Sequence, residues 1–288
     1  MKYLTVCLLL AVLQVRAAET HFVPVTGAPF VADYSRATEQ GHYGVIVLEG
    51  SRGGQSNYLA AKVAELGYPV LSLAYFGVPG LPASLQEIPL EYFEAPRQWL
   101  LQQPETRPDG VVVLGWSKGA ELALLLAAHN EDYAGVVAIA PSSVVWSARR
   151  SSPEAPAVSS WSQNGKGLDF VPLDEGLLQQ EGLLAAFATG LHDHAATERA
   201  RIPVENIAGL VLLLSGEDDH IWPAATMGDQ VCHRMSSQSC THLRYPGAGH
   251  LLDPKFPMGG SASINAKADA AVRAELASFL RALNNSTP

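Results

Sequence analysis

Val111-Val112-Val113-Leu114-Gly115-Trp116-Ser117-Lys118-Gly119 is the stretch that decides the fold. Its first four residues are apolar, mostly β-branched and without polar alternation, as in a strand buried on both faces. Ala120 to His129 follow as a strongly apolar helical segment. The pattern between them is G-x-S-x-G, with the serine at the point where strand becomes helix. The glycines leave room for a strained turn that lifts the serine hydroxyl out of the sheet. The helix N-terminus behind it aims backbone N–H groups at any oxyanion that forms there.

Outward from this unit, similar apolar runs recur with helical patterns between them, which predicts βαβ units and a mostly parallel sheet. Val45 to Leu48 precede a Gly/Ser loop and a helix over Ser56–Leu66 that stops at Gly67. Val70 to Tyr75 precede a Pro/Gly-rich loop and a helix over Leu90–Gln103, in which Pro96 demands a kink or a late start. Gly135 to Ala140 form the fourth run, and Leu210 to Ser215 a later one. Helices are expected near Ala224–Met235 and Ala266–Leu283, with a strand near Thr241–Tyr245 between them. From about 142 to 208 the pattern breaks down, apart from one helical piece over Gly176–Thr189. An insertion of that length in a compact domain is expected to be a lid or binding loop.

A serine hydroxyl needs a base to take its proton. In this architecture the acid and then the histidine follow the serine, each on a loop after a late strand. Leu210 to Ser215 lead into Gly216-Glu217-Asp218-Asp219, and the next strand into Tyr245-Pro-Gly-Ala-Gly-His250. His250 is therefore the candidate base. The acid is Asp218 or Asp219, and the spacing Gly216-x-x-Asp219-x-x-x-Pro223 favours Asp219. Backbone N–H groups of Lys118 and Ser51, with Gly50 as the alternative, are the candidate oxyanion donors. His192 and His194 form an H-x-H pair, but no carboxylate motif accompanies them, so neither metal nor organic cofactor is expected.

Several further stretches, in one order over residues 44–283, carry a family resemblance. They are Leu73-Ala-Tyr-Phe-Gly77, Leu90-Glu-Tyr-Phe-Glu94, Ser117-Lys-Gly-Ala-Glu121, Ile202-Pro-Val-Glu205 and Tyr245-Pro-Gly-Ala-Gly-His-Leu-Leu252. Together they resemble the C-terminal catalytic domain of acyl-CoA thioester hydrolases and bile acid-CoA:amino acid N-acyltransferases. The resemblance implies an α/β-hydrolase fold, with helices on both faces of the sheet. It also implies a nucleophile, acid and base at Ser117, Asp219 and His250, and an acyl ester or thioester as substrate. Serine at the nucleophile resembles the hydrolysing members, whereas cysteine goes with transfer to an amine. Acyl transfer to an amine or alcohol is the alternative activity, and a non-catalytic binding protein the second alternative.

Composition sets the surroundings. Of 288 residues 48% are hydrophobic and 16% charged, enough apolar material for a large core. The net charge of −9 and the lack of a Lys/Arg cluster along the chain exclude nucleic acid as an expected partner. Lys2, the apolar run Tyr3–Val15 and Val15-Arg16-Ala17 read as a signal peptide over residues 1–17. A lead-in (18–43) and a catalytic domain (44–288) follow, so an exported, periplasmic or secreted product without stable membrane insertion is expected. Cys7 leaves with the signal. Cys232 and Cys240 are then an even pair in an oxidising compartment, which predicts a disulfide.

Overall fold

In a computed structural model, the described residues are 21–285 apart from 38, 151, 153 and 257. The predicted signal at 1–17 lies outside them. The strands are β1 (Val23–Pro24), β2 (Val31–Ser35), β3 (His42–Leu48), β4 (Val70–Ala74), β5 (Ile88–Pro89), β6 (Thr106–Trp116), β7 (Tyr133–Ile139), β8 (Trp161–Gln163), β9 (Lys166–Gly167), β10 (Leu210–Gly216) and β11 (Cys240–Tyr245). The helices are α1 (Asn57–Ala64), α2 (Glu94–Leu101), α3 (Lys118–His129), α4 (Glu175–Glu181), α5 (Leu183–Gly190), α6 (His194–Arg199), α7 (Ala224–Arg234) and α8 (Ala262–Asn285).

Eight strands form one sheet in the order β1-β2-β4-β3-β6-β7-β10-β11. From β4 to β11 all neighbours are parallel, and only the two pairings of β2 are antiparallel. The lead-in thus supplies the first two strands of the sheet, β1 at its edge and β2 beside it, for which the sequence shows no clear pattern. Successive side chains of β3 go to opposite faces, as strand period requires. Ile46 and Leu48 pack with Leu100 and the apolar face of α3, whereas Val45 and Val47 pack with Leu59, Val63, Val272 and Leu276 of α1 and α8. Burial on both faces explains why these strands read as unbroken apolar runs.

Pro96 resolves as a late start. A 3₁₀ turn over Leu90–Phe93 precedes α2, and Pro96 is the third residue of α2, where a backbone N–H has no intrahelical partner to lose. The segment expected to be one helix over Gly176–Thr189 is two. Gly182, at φ +90°, separates α4 from α5, a conformation that suits glycine alone. No apolar period marks α6, only six residues long, although its Asp193 cap accepts the Ala196 N–H at 2.9 Å. Residues 140–227 contribute a third core of their own, with Trp146, Phe187, Trp222 and Met227 buried together. Cys232 of α7 and Cys240 of β11 are bonded, with Cα atoms 5.4 Å apart.

Candidate active site

At the end of β6, Ser117 holds φ +56° and ψ −124°, a backbone strain rare outside glycine. The surroundings hold it there. Ser117 N–H donates to the Ile139 carbonyl at 2.9 Å, and its own carbonyl accepts from Ala120 N–H at 2.9 Å. A Cβ at Gly115 would collide with the Gly119 carbonyl, and one at Gly119 would come within 2.6 Å of the Leu48 carbonyl. Both glycines are therefore required by close approach of strand and helix, as the G-x-S-x-G reading expects.

The loops after β10 and β11 bring the other two groups to this turn. His250 Nε2 lies 2.9 Å from Ser117 Oγ, and His250 Nδ1 lies 2.7 Å from Asp219 Oδ2. The second Asp219 oxygen accepts the Ile221 N–H at 2.7 Å and the Trp222 N–H at 3.1 Å. Asp218 turns away to the surface, where it meets His220 at 3.1 Å and accepts the Gly260 N–H at 2.9 Å. That backbone bond, and then His220, hold the Asp218 carboxyl below the usual carboxylate range. Asp219 and His250 are both buried, and Trp222 packs edge-on against the imidazole with centroids 5.5 Å apart.

Residues that carry no motif fix this arrangement. Asn265 of α8 accepts the Gly249 N–H at 2.8 Å and donates to the Gly259 carbonyl at 3.0 Å, pinning the turn that presents His250. Buried Glu49 accepts from Gly50 N–H at 3.0 Å and from Trp116 Nε1 at 2.8 Å. Gly50, the alternative oxyanion donor, is thus engaged, whereas Ser51 and Lys118 N–H make no such bond among the described residues and both residues line the pocket over Ser117. The Lys118 side chain is buried and pairs with Glu121 at 2.6 Å. Burial lowers the lysine's pKa and raises the glutamate's. Lys118 and Glu121 stand in the stretch 117–121, but no local pattern tells an inward ion pair from a solvated i, i+3 pair.

A second Ser–His–Asp chain shows that the triad pattern alone is not a site. His242 Nε2 lies 2.6 Å from Ser215 Oγ and its Nδ1 2.8 Å from Asp229 Oδ1. Ser215 is completely buried, so no substrate reaches it. Ser117, by contrast, lines a pocket of about 590 Å³. His192 and His194 are exposed at the start of α6, and among the described residues no cluster of metal-ligating side chains forms.

Comparison with known proteins gives two kinds of likeness. The family model described as BAAT / acyl-CoA thioester hydrolase C terminal matches residues 88–274. Acyl-coenzyme A amino acid N-acyltransferase 1 of Mus musculus is 31% identical over 217 residues, covering 74% of this chain and 49% of that protein. Mitochondrial acyl-coenzyme A thioesterase 2 of Mus musculus is 29% identical over 246 residues, 84% of this chain and 49% of that protein. The chain spans about half the length of the curated relatives it matches. Among solved structures, the 2,6-dihydroxy-pseudo-oxynicotine hydrolase superposes with a TM-score of 0.57 at 17% identity, over 93% of this chain and 68% of that one. The thermostable carboxylesterase EstE1 from a metagenomic library gives 0.56 at 15%, over 94% and 91%. Both share the fold: an α/β-hydrolase sheet with helices on its two faces.

Proposed function

The chain belongs to the BAAT / acyl-CoA thioester hydrolase C-terminal family, and from that premise we propose that it is a serine hydrolase of acyl thioesters or carboxylic esters. The observation that carries the reading is the hydrogen-bonded series Ser117–His250–Asp219 at the open end of a strained strand-to-helix turn.

Ser117 Oγ attacks the acyl carbon while His250 Nε2 takes its proton. Asp219, accepting from Nδ1, holds the imidazole in the tautomer this needs and stabilises its cation. The backbone N–H groups of Lys118 and Ser51 hold the tetrahedral oxyanion. His250 then protonates the departing thiol or alcohol, leaving the acyl group on Ser117. A water, deprotonated by His250, releases the acid and restores the serine. Protein groups supply every step of this scheme. The signal peptide read over residues 1–17 and the Cys232–Cys240 bond both favour an exported, oxidising setting.

The test is covalent. A fluorophosphonate should label Ser117 alone, and Ser117→Ala should lose on the order of 10⁶ in kcat with the fold intact. Labelling elsewhere, or an active Ser117→Ala protein, ends the assignment. Transfer is the second reading, favoured by the relatives named as amino acid N-acyltransferases. With glycine or taurine present, it would yield the acyl amide in place of the free acid.

A further inference from the structure

The pocket over Ser117 has a mixed lining. Leu178, Leu183 and Phe187 contribute apolar surface, and Ser147 and Ser160 contribute polar surface. Its charged lining is Arg52, Lys118 and Arg149 against Glu175 alone, in a chain that is acidic overall. Most of these charges are answered within the protein. Arg52 meets Glu49 at 3.3 Å, Lys118 meets Glu121 at 2.6 Å, and Glu175 meets Arg150 at 3.7 Å. The Arg149 guanidinium has no hydrogen-bond, ion-pair or ring partner among the described residues.

The backbone around Arg149 is nevertheless held firmly. Ser147 N–H donates to the Val171 carbonyl at 3.0 Å, Ala148 N–H to the Val158 carbonyl at 2.8 Å, and Gln86 Nε2 to the Arg149 carbonyl at 3.1 Å. A cation is thus presented from fixed backbone in the lining of the pocket, unpaired among the described residues. Carboxylates outnumber cations in this chain, yet among the described residues none pairs with Arg149.

We propose that Arg149 is a substrate-recognition residue, and that the preferred substrate carries an anionic group, a carboxylate being the simplest, beyond the ester or thioester bond. This rests on the hydrolase reading above. A guanidinium grips a carboxylate through two parallel N–H bonds, which gives direction as well as attraction. The apolar lining residues would hold the hydrocarbon part of the same molecule.

The anion could sit on the acyl side or on the leaving side, and paired substrates separate the two. One pair is p-nitrophenyl hydrogen adipate against p-nitrophenyl hexanoate. The other is the S-hexanoyl thioester of 3-mercaptopropionate against that of 3-mercaptopropionamide. In one pair the anionic member should have a kcat/KM higher by about tenfold or more, the size of a hydrogen-bonded charge pair. Arg149→Gln should bring that ratio to about one, and Arg149→Lys should keep part of it. Equal rates within both pairs, or a preference that survives Arg149→Gln, overturns the inference while Ser117-dependent turnover leaves the hydrolase reading standing. If no substrate is turned over, the hydrolase reading fails, and calorimetric titration of monomethyl adipate into wild type and Arg149→Gln decides the site separately. Binding lost in the variant supports it, and binding absent or unchanged removes it.

Discussion

Asp218 and Asp219 are neighbours of the same chemistry, yet only one reaches the imidazole. The difference is one residue's rotation at the end of β10: Asp219 is buried against His250, and Asp218 bonds Gly260 and His220 at the surface. Asp219→Asn is therefore expected to lose about 10⁴ in kcat, because an amide facing Nδ1 favours the wrong tautomer. Asp218→Asn should lose far less. Steady-state kinetics on one ester substrate compares them, and a reversed order would shift the catalytic loop by one residue. Gly50 is a second position where a single atom matters, since a Cβ there would sit 3.2 Å from that of Ser117.

The elements that carry the site are tied by buried polar contacts. Lys62 of α1 is buried and bonds Asp253 at 2.6 Å and Asp269 of α8 at 2.5 Å, while Tyr58 donates to Asp253 at 2.8 Å. Asp253 follows His250 by three residues, so this cluster anchors the His250 loop to two helices. Burial alone would push the Asp253 carboxyl up, but Lys62, the Lys255 N–H and Tyr58 outweigh it and hold the carboxyl below its usual range. A depressed carboxylate stabilises the fold fully above its unfolded pKa of about 3.9, and that stability is lost as pH falls through the lower folded value. Lys62→Met should cost about 3–5 kcal/mol at neutral pH, as removing one partner of a buried pair does. Urea unfolding of the variant, and of the wild type from pH 7 to pH 3, measures both effects. A loss below about 1 kcal/mol would show that the pair is not buried in solution.

On the far side of the sheet, Cys232–Cys240 and His242 both join α7 to the edge strand β11. Closing so short a loop should contribute about 2–3 kcal/mol in the chain-entropy account. Reduction should then lower Tm by roughly 5–10 °C. Two freely alkylatable thiols in the native protein would rule the bond out.

For the molecule as a whole, charge acts at two ranges. The net −9 repels a polyanion such as coenzyme A at a distance, whereas Arg149 acts only at contact. An acyl-CoA should therefore have a lower kcat/KM than the same acyl group on a small neutral thiol at low ionic strength. Raising salt to about 0.1 M, where the Debye length is about 10 Å, should narrow the gap. Kinetics on both thioesters at two salt concentrations reads this directly, and a salt-independent preference for the CoA ester would contradict it.

What the sequence by itself determined is local in origin. Apolar runs without alternation mark strands covered on both faces, because side-chain period and burial act within a few residues. The Gly115-x-Ser117-x-Gly119 turn is legible for the same reason, since it turns on atoms that lie next to one another in the chain. The expected order of Ser117, an acid after β10 and then His250 follows from the rule that the open end of a parallel sheet gathers the loops after its strands. What the tertiary structure decided are contacts between residues remote in sequence. Lys62 and Asp253 are 191 positions apart, and no periodicity relates them. Asp218 and Asp219 are alike until the path of 258–260 gives one of them a surface partner. Arg149 looks like one of many surface cations until the chain folds it into the lining of the Ser117 pocket, with no carboxylate paired to it among the described residues. Short-range sterics and burial are written in neighbouring residues, whereas the partners of a charge are set by the path of the whole chain.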